Sequence, residues 1–218
     1  MYVKSLPMRS PSQVAMLALH AEEIERALRG CELVVFPRMT AYDDTSISYS
    51  LVDCSAPLLR KVLALSCTED EMGVAGTILR RIHDSSLLHS DYVPHNLFLS
   101  GDRLVLIDPH PPDNLEFDVR RLYGKPCNEL AGFVFCLLTD TGLKRSLAFL
   151  GHQSRLTRAF LQGYGLDGVQ VVGLPCAIAN YASEVYRLKR RAGFSLPRAL
   201  AHCVGASCLT LVMFGLTL

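Results

Sequence analysis

The residues best suited to chemistry lie in one short stretch of the chain. Asp91 is followed five positions later by Asn96, and Asp108 comes 12 positions after Asn96. A carboxylate placed beside a hydroxyl group can accept its proton. A carboxylate beside an amide oxygen is a ligand set that suits a hard divalent ion such as Mg²⁺. The stretch therefore indicates proton abstraction from a hydroxyl group next to a bound magnesium ion.

The element that must position these side chains is a β-hairpin. Two apolar runs, 97–99 and 104–107, flank a Gly-Asp turn signal at 101–102. An antiparallel hairpin brings its two ends together. Asn96 precedes the first strand and Asp108 follows the second, so we expect them to be neighbours.

This pattern resembles the catalytic core of the protein-kinase superfamily, whose catalytic loop reads H-R-D-x-x-x-x-N and is followed by D-F-G. Ser90 follows His89, and Ile107-Asp108-Pro109 stands where D-F-G would. These forms are more similar to the aminoglycoside and small-molecule phosphotransferase branch, in which many members read H-G-D-x-x-x-x-N and then I-D. The resemblance implies an α+β, protein-kinase-like two-lobe fold and transfer of a phosphoryl group from ATP to a hydroxyl group.

The resemblance also implies a role for each residue. Asp91 would be the catalytic base, and Asn96 and Asp108 would hold Mg²⁺. His89 would brace the loop as structural support. Asp118 would be the aspartate of the next helix, which ties down the loop backbone in that branch.

Upstream, the resemblance implies a nucleotide site. In the superfamily a strand lysine pairs with a helix glutamate and holds the α- and β-phosphates of ATP. Lys4 is the candidate lysine, and Glu22 or Glu23 is the candidate glutamate. The backbone of Leu51 to Asp53 would hydrogen-bond the adenine.

The chain departs from the family pattern in its first part. Residues 1–29 contain no glycine, so no Gly-rich loop precedes the catalytic loop. We therefore expect a reduced N-terminal nucleotide-binding lobe at 1–55 and a helical C-terminal catalytic lobe at 56–218. An alternative is a pseudokinase, a binding module that lacks full catalysis.

A small-molecule acceptor, such as a sugar, an aminoglycoside or a glycolipid, is favoured over a protein acceptor. The reasons are the His-Ser-Asp and Ile-Asp-Pro forms and the absence of an Ala-Pro-Glu segment after Asp108. The chain reaches Phe117-Asp118 within ten residues of Asp108, which is too short for an ordinary activation loop.

The remaining elements fit an α+β chain in which strands come early and helices come late. Ser10 or Ser12 begins a helix that ends at Gly30, and Thr68 with Glu71 forms a capping box that begins another. The other predicted elements are strands at 2–5, 31–36 and 47–52, a turn at 42–45, a short helix at 57–65, and helices in most of the chain after residue 108.

Composition restricts the class of protein. The formal charge of +1 argues against binding to nucleic acid, and a hydrophobic content of 50% excludes disorder. Eight cysteines without a C-x-x-C pair, and no secretory signal, are typical of reduced thiols in the cytoplasm. Residues 199–218 carry no Asp, Glu, Lys or Arg, so this segment is either a buried helix or a point of membrane association.

Overall fold

The structure is a computed structural model, and it describes residues 2–5, 10–43, 46–109, 125–139, 149–166, 174–191 and 193. Within these residues the chain is α+β, as predicted, with two small sheets and with its longest run of helices last. Its elements are β1 (Tyr2–Ser5), α1 (Pro11–Ala27), β2 (Val34–Val35), β3 (Met39–Tyr42), β4 (Ser46–Tyr49), α2 (Leu58–Leu63), α3 (Glu69–Asp84), β5 (Leu97–Ser100), β6 (Arg103–Leu106), α4 (Pro126–Thr139), α5 (Leu150–Tyr164) and α6 (Leu174–Arg191).

The first sheet is antiparallel and has the strand order β1-β4-β3. Lys4 lies opposite Ile47 in the β1–β4 ladder. The predicted strand 47–52 is shorter than expected, because β4 ends at Tyr49. The sequence analysis missed β3, whose residues after Met39 are exposed and so show no apolar alternation.

The second sheet has the order β2-β6-β5, and it contains the predicted hairpin of β5 and β6. β2 runs parallel to β6 and pairs with it at Val34 and Val35. The predicted strand 31–36 was too long, because its first residues turn back on α1. The Cys31 amide donates to the carbonyl oxygen of Leu28 at 2.9 Å.

Both long early helices begin where the capping signals predict. Ser10 caps α1 together with Gln13, and Thr68 caps α3 together with Glu71, each pair forming a reciprocal capping box. The chain leaves α1 through Gly30, whose φ of 80° is in the left-handed region that glycine adopts without strain.

The main core lies between α3 and the later helices. α3 packs closely against α5, and α4 packs against α6. Phe133 of α4 stacks on Phe160 of α5, with ring centroids 3.9 Å apart. In the described residues, no helix has the length and apolarity that crossing a membrane requires. Residues 199–218 lie outside them.

Candidate functional site

The loop between α3 and β5 carries Asp91 and Asn96, and a hydrogen bond joins their side chains. The Nδ2 atom of Asn96 donates to the Oδ2 atom of Asp91 at 2.8 Å and to its carbonyl oxygen at 3.0 Å. Asn96 ends a short 3₁₀ turn, Pro94–Asn96, and is buried, whereas Asp91 is half-buried. The asparagine therefore fixes the direction of a carboxylate that solvent still reaches.

The hairpin brings Asp108 to the same end as Asn96. The Ile107 amide donates to the carbonyl oxygen of Asn96 at 3.3 Å, and Asp108 is the next residue. Asp108 has a φ of 65°, and Ser90, beside Asp91, has a φ of 62°. Leu65 and Ser86, outside the candidate site, adopt the same left-handed conformation, which costs a non-glycine residue about 1–2 kcal/mol.

A buried glutamate in α4 holds the start of the loop. The Glu129 side chain accepts hydrogen bonds from the amide of His89 at 3.2 Å and from the amide of Ser90. Glu129 is 1% exposed. The sequence analysis missed this residue, although it is the one acidic residue in an otherwise apolar helix. Asp118, which was expected to hold the loop backbone, lies outside the described residues.

His83 of α3 completes the contacts of this carboxylate. Its Nε2 atom lies 2.7 Å from Oε2 of Glu129, and its Nδ1 atom lies 2.8 Å from the hydroxyl oxygen of Tyr164. Three N–H groups therefore face one buried carboxylate, which offsets the cost of removing its charge from water. Burial raises the pKa of Tyr164, so its hydroxyl group stays protonated.

Tyr92 fastens the middle of the loop to the core. Its hydroxyl group donates to the carbonyl oxygen of Ala75 in α3 at 2.7 Å, and burial raises its pKa well above the ordinary value. The ring of His89, which is fully buried, packs edge-to-face on Tyr92 with centroids 5.5 Å apart. The bracing role of His89 stays a prediction.

A cleft of about 270 Å³ lies between α1, the first sheet and the hairpin. Glu22, Leu51 and Asp108, which the resemblance assigns to nucleotide and metal binding, all line it although they are far apart in the chain. The other lining residues are mostly apolar: Ala21, Glu25, Phe36, Pro37, Met39, Tyr49, Ser50, Val52, Cys54, Phe98, Val105, Leu106, Ile107 and Pro109.

Not all of the residues predicted to bind nucleotide line the cleft. Glu23 and Asp53 are exposed and do not line it, and Asp91 and Asn96 do not line it either. Glu25, which the sequence analysis did not select, does line it, one helical turn after Ala21. The backbone of Lys4 lies in β1 next to β4, and its side chain lies outside the described residues.

The segment at 51–54 runs along the cleft, which Leu51, Val52 and Cys54 line. It is fastened at both ends, because the Ser50 amide donates to the carbonyl oxygen of Arg38 and the Ser55 amide donates to that of Leu99, each at 2.7 Å. Between these points, the backbone N–H and C=O groups of 51–54 form no hydrogen bond with the described part of the chain. A flat heterocycle in the cleft could pair with them, as an adenine would.

Asn96 and Asp108, at the hairpin end, carry oxygen atoms of the kind that could hold a hard divalent ion. Both hydrogen bonds of the Asn96 side chain use Nδ2, so its Oδ1 atom is not engaged by Asp91. Asp108 adds a carboxylate at the edge of the cleft. One amide oxygen and one carboxylate are typical ligands for Mg²⁺ that also binds phosphate oxygens. Within the described ranges, no cluster of three or more His, Cys, Asp and Glu residues could hold a metal ion.

Comparisons with protein-family models, with curated proteins and with solved structures found no match for this chain. The function is therefore inferred from the residues of the cleft and the loop.

Proposed function

We propose that the chain is an ATP-dependent phosphotransferase with a protein-kinase-like arrangement of two lobes, 1–55 and 56–218. The observation that carries the proposal is that Glu22, Leu51 and Asp108 line one cleft. These three residues come from three separate parts of the sequence, and a single resemblance assigned all of them to the binding of ATP and Mg²⁺.

The nucleobase lies in the apolar part of the cleft, between the rings of Phe36 and Phe98, and pairs with the backbone at 51–54. Those polar groups have no backbone hydrogen-bond partner in the described part of the chain, so they can pair with the base. The phosphates extend toward Asp108. Lys4 of β1 would contact the phosphates and pair with Glu22.

Transfer takes place beside Asp91. Its carboxylate accepts the proton of the acceptor hydroxyl, the hydroxyl oxygen forms a bond to the γ-phosphorus, and the bond from that phosphorus to the bridging oxygen of ADP breaks. Asn96 holds the Asp91 carboxylate in place through its Nδ2 atom. Asn96 and Asp108 would hold Mg²⁺, which supplies positive charge to the phosphate oxygens when it is bound.

The acceptor is a small molecule with a hydroxyl group, such as a sugar, an aminoglycoside or a glycolipid, and the protein acts in the cytoplasm. The sequence features that favour this class are the His-Ser-Asp and Ile-Asp-Pro forms and the short connection after Asp108.

Titration calorimetry with ATP, first in Mg²⁺ and then in EDTA, tests the nucleotide site. Release of phosphate from ATP tests phosphoryl transfer with water as the acceptor. We expect binding that weakens at least tenfold in EDTA, together with slow turnover. Binding without turnover, with hexoses and aminoglycosides also present, would favour the pseudokinase alternative. Absence of both ATP binding and turnover would contradict the phosphotransferase.

A further inference from the structure

His20 forms a hydrogen bond between α1 and the residue that precedes the catalytic loop. It lies on the buried face of α1 and is 6% exposed. Its Nε2 atom lies 2.8 Å from the carbonyl oxygen of Leu88, far along the sequence. Because a carbonyl oxygen only accepts, the Nε2 atom carries a proton and donates it.

His20 lies where two apolar clusters meet along α1. On its N-terminal side, Val14 and Leu17 pack with Ile47 of the first sheet. On its C-terminal side, Ile24 belongs to the main core. Apolar contacts have no preferred direction, whereas a hydrogen bond has a narrow range of length and angle. His20 therefore adds a directional contact between α1 and the residue that precedes the loop.

The two ends of this hydrogen bond belong to the two halves of the candidate site. Glu22, two residues after His20, lines the cleft. Leu88 directly precedes His89, whose amide Glu129 holds from the other side. One side chain thus connects a wall of the nucleotide cleft to the segment that carries the catalytic base.

We infer that His20 is a positioning residue that couples nucleotide binding in the cleft to the geometry of the catalytic loop. This inference rests on the proposed phosphotransferase function, and it adds a means by which ATP orders the loop. His20 does not line the cleft. Its loss lowers kcat and leaves the KM for ATP nearly unchanged, because alignment in the transition state suffers and binding does not.

Two substitutions separate the hydrogen bond from the packing of the ring. His20→Phe keeps the ring and removes the donor, whereas His20→Gln keeps an N–H donor at similar reach. The readouts are kcat and KM for ATP hydrolysis, and amide hydrogen exchange of the peptide at 85–92 with and without ATP and Mg²⁺. This peptide includes the amides of His89 and Ser90, which are hydrogen-bonded and therefore report opening of the loop.

We expect ATP to slow exchange in this peptide of the wild type, and His20→Phe to abolish that slowing while ATP still binds. The kcat of His20→Phe falls about tenfold with KM within threefold, and His20→Gln recovers most of the loss. An ATP effect on exchange that persists in His20→Phe would overturn the inference. Equal losses in both variants would also overturn it, because packing alone would then explain them.

Failure of the proposed function is distinguishable from failure of this coupling. If the wild type neither binds nor hydrolyses ATP, the phosphotransferase proposal fails. The nucleotide-free exchange rates then test the hydrogen bond by themselves. Faster exchange at 85–92 in His20→Phe, with wild-type exchange in His20→Gln, supports the connection, and equal exchange in all three proteins contradicts it.

Discussion

The Nδ2 atom of Asn96 lies 2.8 Å from the Oδ2 atom of Asp91 and 3.0 Å from the Asp91 carbonyl oxygen. One amide group thus holds both the backbone and the side chain of the candidate base. The contact with Asp91 does not use the Oδ1 atom of Asn96. In the proposed reaction, Asn96 therefore positions the base and binds Mg²⁺ with different atoms of the same side chain.

Glu22→Gln should weaken the binding of ATP with Mg²⁺ at least fivefold. Glu22 lines the cleft, and in the proposal its charge orients the lysine that contacts the phosphates. Glu23→Gln is the matched control, because Glu23 is the next residue of the same helix, is also exposed and does not line the cleft. Calorimetry measures both affinities. Equal affinities for the two variants would remove Glu22 from the site.

ATP should protect Cys54 from alkylation. Cys54 is exposed and lines the cleft, whereas Cys127 is exposed and does not line it. With saturating ATP and Mg²⁺ at pH 8, we expect the labelling rate of Cys54 to fall at least tenfold and that of Cys127 to stay constant. Mass spectrometry of the labelled peptides measures each rate. Unchanged labelling of Cys54 would mean that the nucleotide lies elsewhere.

Cys67 provides an internal reference for the same experiment. Burial and the nearby Glu71 carboxylate raise its pKa to about 12. Roughly one molecule in ten thousand then carries the reactive thiolate at pH 8, so Cys67 stays unlabelled with or without ATP. Labelling of Cys67 would indicate that the protein had unfolded.

Gly76→Ala should destabilise the protein by about 2 kcal/mol or more. A Cβ atom at Gly76 would overlap the carbonyl oxygen of Phe160 in α5, and backbone atoms cannot move aside cheaply. Gly73→Ala is the control, since a Cβ there would lie 3.7 Å from the carbonyl oxygen of Ala159, an ordinary contact. Because alanine has a higher helix propensity than glycine, Gly73→Ala should stabilise α3 by about 0.5–1 kcal/mol. Urea unfolding measures both, and equal midpoints would contradict the close approach of α3 and α5.

Glu129→Gln should lower the free energy of unfolding by about 2–4 kcal/mol. In the wild type the buried carboxylate accepts hydrogen bonds from N–H groups, whereas in the variant the NH₂ group of the amide faces some of these donors. Glu69→Gln is the matched control. Glu69 pairs with Arg155 at 3.2 Å on the surface, where both side chains are more than half exposed, so its loss costs less than about 1 kcal/mol. Denaturant unfolding compares the two. Similar small costs would mean that Glu129 does not anchor the loop.

Local signals made part of this fold predictable. The capping boxes at Ser10 and Thr68 and the turn at 101–102 each need only a few neighbouring residues, and each element forms where the sequence predicts it. The sequence gives no such signal for β3, which is exposed at the sheet edge, or for the parallel pairing of β2 with β6. Pairing over long distances depends on the whole fold.

The candidate site also has a part that the sequence predicts and a part that it does not. The spacing of Asp91, Asn96 and Asp108 could be interpreted from the sequence because the three residues lie in one loop and at the end of the hairpin that follows it. Glu129 and His20 reach the loop from distant helices, and a lone charged residue in an apolar helix is the only sequence signal for the former. Contacts of this kind become visible only when the helices are packed.

Asp91→Asn tests the central claim most directly, with Asp102→Asn in the exposed hairpin turn as its control. Phosphate release from ATP and ATP affinity are measured on the same preparations. We predict a loss of turnover of at least about 100-fold in Asp91→Asn with ATP affinity within threefold of the wild type, because an amide cannot accept the acceptor's proton. Asp102→Asn should match the wild type. Full turnover by Asp91→Asn would contradict the assignment of Asp91 as the catalytic base.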